Sequence, residues 1–418
     1  MRRNTFLILL ALLLGVNAGF VGWRLGLFEP GYVRNLGQVG EVMRIVETYN
    51  VEDDETGFDR MRRSALREMV NSLDEHSRYW SEEDYANFKR ETEQQYVGIG
   101  IRVERLGGRV NVVEVFEGSS AEEAAMQAGD RIVGVAGEDV REESLTEVVT
   151  RLRGPAGTPV EVTWYRPRTG KEYTREVMRK PVDLPSITEV TLLPNGIGSL
   201  HINQFGTRTG EEFAEALKEL EAQGMKALII DLRDNPGGLL TSAVEVAGQF
   251  FEPGALIVET RSRYDSQRFE NPLKNPKQRD YPIAILINGR SASASEIVAG
   301  AMQDTGRAVV VGSRSVGKGS VQSVFDIGNG EAVKLTTAMY YLPGGRTIDE
   351  VGVKPDVRVL LDTAERQKLF FQRSHRRNLS DEAFFEQFGF EPIEDRQMRA
   401  AEDLLKGTLL YDGNAAGK

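Results

Sequence analysis

Two apolar runs constrain this chain more than any other feature: Ala227-Leu-Ile-Ile-Asp-Leu232 and Ile283-Ala-Ile-Leu-Ile-Asn288. Each is of strand length and lacks the polar alternation of a half-exposed strand, so each reads as a buried strand. Each passes directly into a turn and then into helical spacing. Arg233-Asp-Asn-Pro-Gly-Gly-Leu-Leu240 follows the first, with a helix running through Phe250. Gly289-Arg-Ser-Ala-Ser-Ala-Ser-Glu296 follows the second, and Ile297, Val298, Ala301 and Met302 then recur at helical spacing. Strand, small-residue turn and helix together can hold an exposed nucleophile. The turn presents a hydroxyl, and the helix N-terminus offers N–H groups to an anion. A purely structural reading fits the same residues. Ser293 and Glu296 have the spacing of a capping box, in which Ser caps the helix and Glu reaches back. Gly237 and Gly238 suit a plain strand-to-helix turn as well as the exposed N–H groups of an oxyanion hole.

Downstream lies Gly312-Ser-Arg-Ser-Val-Gly-Lys-Gly-Ser-Val-Gln322, with Lys318 between two glycines. Gly312, Gly317 and Lys318 match the first part of a P-loop. That motif then requires Ser or Thr to hold magnesium, and the next residue is Gly319, with Ser320 one place too late. Without further context, Lys318 reads as a solvated surface charge or as a functional amine.

Elimination narrows the chemistry. The chain has no Cys, so it offers neither a thiol nucleophile nor a thiolate metal site. Its three His, His76, His201 and His375, sit in different regions without metal-ligand spacing. His201 lies in the strand-like run Ile197-Gly-Ser-Leu-His-Ile202 and reads as an ordinary strand residue. If Ser293 is a nucleophile, a Lys is the available base.

Ser-Ala-Ser-Ala-Ser-Glu296 followed by Gly-Lys-Gly-Ser-Val-Gln322, at this separation, resembles the carboxyl-terminal processing peptidases, or tail-specific proteases. The resemblance extends roughly from residue 35 to residue 410. It implies a multidomain α/β chain: an N-terminal helical arm, a PDZ domain that is β-rich with helices, and an α/β catalytic body of crotonase-like type. It implies Ser293 as nucleophile, Lys318 as general base and Gln322 as the residue that orients the lysine. The oxyanion hole falls on Gly238 and the N–H of Ala294. No metal and no cofactor is expected.

The net charge of −11 argues against a nucleic-acid partner. Residues 1–22 stand apart from the rest. Arg2 and Arg3 precede Phe6-Leu-Ile-Leu-Leu-Ala-Leu-Leu-Leu14, the pattern of a signal peptide or a signal anchor. Val16-Asn17-Ala18 passes as a cleavage site, whereas Phe6 to Trp23 is about long enough to span a bilayer; the uncleaved anchor is the preferred reading. Both place the bulk of the chain outside the cytoplasm, in a bacterial cell envelope, periplasmic or anchored to the outer face of the inner membrane.

Residues 31–95 read as the helical arm. Val39, Val42, Met43, Val46 and Tyr49 form one apolar stripe, and Met61, Ala65, Leu66, Met69 and Val70 form another. By resemblance such an arm assembles a homo-oligomer; packing back on its own body is the alternative. Ser72-Leu-Asp-Glu-His-Ser-Arg-Tyr79 resembles a family signature, and His76 within it reads as a structural hydrogen-bonding residue. Residues 96–180 change to strand periodicity and resemble a PDZ domain. Its carboxylate-binding loop is Tyr96-Val97-Gly98-Ile99-Gly100, where backbone N–H groups receive a C-terminus and the peptide adds a strand. A glycine bulge in an ordinary small barrel is the plainer reading. Ser119-Ser-Ala121 departs from the family's Ser-Pro-Ala at the equivalent position. Arg153 follows the predicted helix Leu145 to Leu152, where the family's PDZ domain touches the catalytic body; it is expected either to regulate that junction or to be a surface charge. Residues 185–410 form the catalytic body, with residues 261–281 read as a surface loop and residues 411–418 as a disordered tail.

The function expected is that of an exported serine endopeptidase that cleaves proteins near their C-termini, with the PDZ domain recognising the substrate tail and gating activity. The resemblance leaves room for an adaptor protein that activates it. The alternative is a catalytically silent exported PDZ scaffold.

Overall fold

The computed structural model describes residues 30–51, 57–92, 95–106, 108–116, 118–183, 185–375 and 380–415, and the chain divides into two compact units. The leader expected at residues 1–22 lies outside the described residues. The smaller unit comprises the described part of residues 1–82 with residues 324–335. It contains the helices Pro30–Tyr49 and Phe58–Asn71. The first leaves Val33, Leu36, Val39, Val42 and Ile45 exposed. After the second, the Asp74 carboxylate accepts the N–H groups of His76 and Ser77 and the Ser77 hydroxyl, which turns the chain. The turn leads into strand Arg78–Trp80, which pairs antiparallel with residues 332–334. Arg62 donates to both oxygens of the buried Glu331 at 2.7 and 2.8 Å, a bidentate bond that holds the Glu331 carboxyl down at about 2.

The larger unit holds a β-rich domain and an α/β body. In the former, strands Ile101–Leu106, Arg109–Val115, Arg131–Val135, Pro159–Arg166 and Lys171–Met178 form one antiparallel sheet in that order. Alternate residues of these strands, among them Val112, Val135, Val162 and Trp164, bury against Val148 and Leu152 of helix Leu145–Leu152. That helix starts where it does because Ser144 and Glu147 form a reciprocal capping box, a device worth roughly 1 kcal/mol. Strand Gln95–Gly98 pairs antiparallel with Lys180–Asp183, so the chain enters and leaves this domain side by side.

The α/β body is organised by the two runs that read as buried strands. Ala227–Asp231 and Ile283–Ile287 are buried at every position and lie at the centre of a six-stranded sheet. Its order is Ile187–Leu192, Ile197–Ile202, Ala227–Asp231, Ile283–Ile287, Val309–Gly312 and Val357–Arg358. The first pair is antiparallel and the rest are parallel. The period-2 geometry of a strand divides the apolar side chains between two layers. Leu228, Ile230, Ile283 and Ile285 pack with Phe213, Leu217, Val246, Ile297 and Val298 of three helices. Ile229, Ala284 and Leu286 pack with Ala401 and Leu405 of the closing helix Arg396–Ala415, which runs on into the stretch read as tail. Each fully buried Leu or Ile contributes about 1.5–3 kcal/mol. Because the strands are parallel, the turns after Asp231, Ile287 and Gly312 all leave the same edge of the sheet, where ligands of such sheets bind.

Residues 261–281 are not wholly loop. Leu256–Ser262 and Ser266–Glu270 form an antiparallel hairpin closed by Ser262, whose hydroxyl accepts the N–H groups of Tyr264 and Asp265. Its strand Ser266–Glu270 is polar because it is mostly exposed, so it lacks an apolar signal.

Candidate active site

The turn after Ile287 carries three serines, and the structure gives them different tasks. Ser291 is fully buried; its hydroxyl donates to the Leu232 carbonyl at 2.8 Å and accepts the Asn288 N–H at 2.9 Å. Ser295 is also fully buried and donates to the Asn235 carbonyl at 3.1 Å. Both hydroxyls stitch the turn after Ile287 to the turn after Asp231. Ser293 lies between them, half-buried, with φ of 53° and ψ of −112°. A non-glycine residue rarely occupies that region, and such strain concentrates at functional sites. It is held there by Glu296, whose carboxylate accepts the Ser293 N–H at 2.8 Å while its own N–H donates to the Ser293 carbonyl at 2.9 Å. The reach-back half of the capping box is therefore present, and it fixes the Ser293 turn.

Glu296 does more than cap. It has no exposed surface and its carboxylate also accepts the Ser315 hydroxyl at 2.5 Å, the Gly317 N–H at 2.7 Å and the Lys318 N–H at 2.9 Å. One buried carboxylate thus binds the Ser293 turn and the Lys318 loop together. The Val316 N–H adds a bond to the Ser291 carbonyl at 3.0 Å. Lys318 is half-buried. Gln322 opens strand Ser320–Gly328 near its start, and its amide donates to the Ser320 carbonyl at 3.0 Å and the Ser320 hydroxyl at 2.8 Å.

The turn after Asp231 brings Gly237, followed by Gly238, against Ser293. Phe205 donates its N–H to the Gly237 carbonyl at 2.9 Å, and Leu239 donates to the Phe205 carbonyl at 2.7 Å. That bridge does not use the Gly238 N–H. Gly237 has φ of 99°, and a Cβ there would fall 2.8 Å from Cβ of Ser293; Gly238 has φ of 142°, and a Cβ there would strike the Phe205 carbonyl at 2.1 Å. Only glycine fits either position. Ala294 is the first residue of helix Ala294–Asp304, so its N–H lies at a helix N-terminus beside Ser293.

Sequence reasoning missed two groups here. Tyr340 is 5% exposed, and its hydroxyl lies beside Ser293; burial pushes the phenol up to about 12, against the lowering effect of Ser293. Its N–H donates to the Gly319 carbonyl at 2.7 Å, next to Lys318. Nothing local in the sequence marks it, since its strand Glu331–Tyr341 lies outside both motifs. Beneath the site, Arg233 is buried with Asp231 at 2.6 Å and Asp395 at 2.9 Å. Burial alone would raise the Asp231 carboxyl, but Arg233 and Arg373 outweigh it and hold it well below the usual carboxylate range. An Arg directly after a buried run was the available signal.

In the β-rich domain, Val97, Gly98, Ile99 and Gly100 line a groove of about 280 Å³ with Ile101, Phe116, Val149, Leu152 and Arg153. Tyr96 lies in the entering strand opposite Val182. Gly100 has φ of 83°, and a Cβ there would overlap the Ser119 side chain at 2.1 Å. Ser119 itself caps the short helix Ser120–Glu123 by accepting the Glu122 N–H. The departure from Ser-Pro-Ala therefore leaves the turn intact. Arg153 ends helix Leu145–Leu152, its N–H on the Val149 carbonyl.

Residues 196–359 match the model of peptidase family S41 and residues 112–166 match a PDZ domain. The carboxy-terminal-processing protease of Bartonella bacilliformis is 36% identical over 349 residues, covering 81% of this chain and 78% of that protein. The chain belongs to peptidase family S41. It is a carboxy-terminal processing serine peptidase with a PDZ domain. The carboxyl-terminal-processing protease of a Picosynechococcus species is 35% identical over 298 residues, 70% of this chain and 71% of that protein. Among solved structures, an S41 protease of Bacteroides fragilis shares the fold at 15% identity with a TM-score of 0.51, covering 88% of this chain and 97% of that one. For this S41 peptidase, the groove in the PDZ domain fits peptide binding.

Proposed function

We propose that this peptidase cleaves exported proteins near their C-termini with a Ser293–Lys318 dyad. The observation that carries the reading is the pair of bonds from Glu296 to the backbones of Ser293 and Lys318. Ser293 Oγ attacks the scissile carbonyl carbon and its proton passes to a neutral Lys318 amine. A free Lys has a pKa near ~10.4, so this role requires the site to lower it by desolvation. The tetrahedral oxyanion is received by the N–H groups of Gly238 and Ala294, each worth roughly 10²–10³ in rate. As the C–N bond breaks, the proton passes from Lys318 to the leaving amine, and water then cleaves the ester by the same route. Gln322 orients the Lys318 amine through its side-chain carbonyl oxygen, while its NH2 group bonds Ser320.

The PDZ groove takes the substrate's C-terminus at Tyr96 to Gly100 and gates the site, with Arg153 helping to hold the competent arrangement. The arm, with its exposed stripe from Val33 to Ile45, assembles the homo-oligomer. The leader places the enzyme in the cell envelope, where an adaptor protein activates it. Incubation with an unstructured protein, the wild type beside Ser293→Ala, tests the central reading. Cleavage near the C-terminus by the wild type alone supports it, and equal cleavage by both, or none by either, sinks it. Arg153→Ala should lower cleavage while tail-peptide affinity stays within about threefold, and fractionation of cells should place the protein with the envelope.

A further inference from the structure

The peptidase reading uses the oxyanion turn but leaves open what fixes its leading residue. Asp234 has φ of 62°, the left-handed region that Asp tolerates better than most residues. Three bonds hold it there. Its N–H donates to the Asn288 side-chain oxygen at 3.1 Å, and its carboxylate accepts the Asn288 amide at 3.0 Å. Its other carboxylate oxygen accepts the Arg373 guanidinium, which also donates to Asp231 at 3.1 Å. Arg373 therefore grips the end of one buried strand and the turn that follows it. Through Asp234 it also reaches Asn288, where the nucleophile turn begins.

Arg373 arrives on helix Thr363–His375, and that helix packs against strand Arg109–Val115 of the PDZ domain. A polar cavity of about 90 Å³ marks the junction. Arg102 and Glu114 line it from the PDZ side, and Asn203, Asp234, Phe370 and Arg373 line it from the body. Arg102 and Glu114 are themselves ion-paired at 3.0 Å. The residue that leads into Asn235, Gly237 and Gly238 thus faces the PDZ domain directly.

We propose that Arg373 is a positioning residue for the oxyanion turn, acting through Asp234, and that its helix is where the placement of the PDZ domain reaches that turn. The proposal rests on the reading of Gly238 as an oxyanion donor. Arg373 touches no substrate. It holds Asp234 in a backbone conformation that places Asn235, whose side chain accepts the Gly237 N–H at 2.8 Å and donates to the Ile202 carbonyl at 2.7 Å. A misplaced donor, even one shifted from outside the reaction centre, costs rate rather than substrate affinity.

The test uses the full chain with Arg373→Gln, Arg373→Lys, Asp234→Asn and the Arg373→Gln/Asp234→Asn double variant. A short quenched fluorescent peptide reports kcat and KM, and a labelled tail peptide reports the PDZ groove. Arg373→Gln should lower kcat on the order of 10²-fold, with KM and tail-peptide Kd within about twofold, and Arg373→Lys should recover part of the loss. Asp234→Asn, which leaves the partners of Asp231 in place, should show the same loss, so a failure of Arg373→Gln to fold does not spare the proposal. The double variant should be no worse than the poorer single one, because both changes cut one path. Unchanged kcat in Asp234→Asn, or losses that multiply in the double variant, would overturn it. Wild-type enzyme that neither cleaves the peptide nor reacts with a fluorophosphonate at Ser293 overturns the reading on which the proposal rests, and with it the proposal.

Discussion

Glu296 accepts the backbone N–H of Lys318 at 2.9 Å, although the two residues belong to different turns of the sheet edge. With the Ser293 N–H on the same carboxylate, this makes Glu296 the joint between Ser293 and Lys318. Glu296→Gln replaces an acceptor oxygen with a donor, so at least one of the N–H groups now bound would face an N–H. Leaving a buried donor unmet costs about 1–3 kcal/mol. The variant should melt lower and lose on the order of 10²-fold in kcat with little change in KM. Thermal melting and steady-state kinetics check this together, and an unchanged kcat would return Glu296 to the role of a helix cap.

The three serines should separate cleanly. Ser293→Ala should abolish cleavage while the protein melts within about 1 kcal/mol of wild type. Ser291→Ala and Ser295→Ala should keep substantial activity, because their hydroxyls bond the carbonyls of Leu232 and Asn235. Each should instead lose about 1–3 kcal/mol of stability, read from urea unfolding. Equal loss of activity in all three variants would make the motif structural.

Lys318→Arg should be as inactive as Lys318→Ala, since a guanidinium does not lose its proton in a protein. Wild-type kcat/KM should rise with pH through one ionisation. Tyr340 does not supply that ionisation. Burial raises its phenol to about 12, so it stays neutral below that pH. Tyr340→Phe should therefore lower kcat, by roughly tenfold for a hydroxyl lost beside Ser293, and leave the midpoint of the pH profile in place. A midpoint that moves with Tyr340→Phe would make the tyrosine, not Lys318, the titrating group.

The smaller unit should show an acid transition of its own. Hydrogen bonds from Arg62 hold the Glu331 carboxyl at about 2, below its unfolded value near ~4.3. A depressed carboxylate stabilises the fold above the unfolded value, and that contribution is lost as pH falls toward about 2. Arg62→Met should remove the contribution at neutral pH and flatten the dependence between about pH 4 and pH 2. Far-ultraviolet circular dichroism of the two proteins across that range decides it.

The buried strands and the turns that carry Ser293 and Lys318 were legible because their signals are local: an unbroken apolar run, and small residues at a helix start. The helix Leu145–Leu152 was legible at both ends for the same reason, through its apolar face. Strands Lys171–Met178 and Ser266–Glu270 were not, since exposure left them polar and removed the periodicity that marks a strand. Glu296 was legible as a cap and hidden as a joint, because Ser315, Gly317 and Lys318 approach it only after the sheet has formed. Arg373 and Asp234 are far apart in the chain, and no spacing rule pairs an arginine with a carboxylate at that distance. The same holds for Tyr340 and Ser293.

Strands Gln95–Gly98 and Lys180–Asp183 lie side by side, so the PDZ domain opens and closes at one doorway. A domain attached in this way behaves as a cassette. Its two ends are already close enough to be joined by a short linker, and a foreign module with adjacent termini can be grafted in its place. On the proposed tail-binding role of the PDZ groove, such a transplant would alter which tails are captured while the layers of the α/β body keep their own core. The graft inherits one obligation, a face that seats against helix Thr363–His375, and modules that match the doorway but lack that face would give chimaeras that capture tails and cut them slowly.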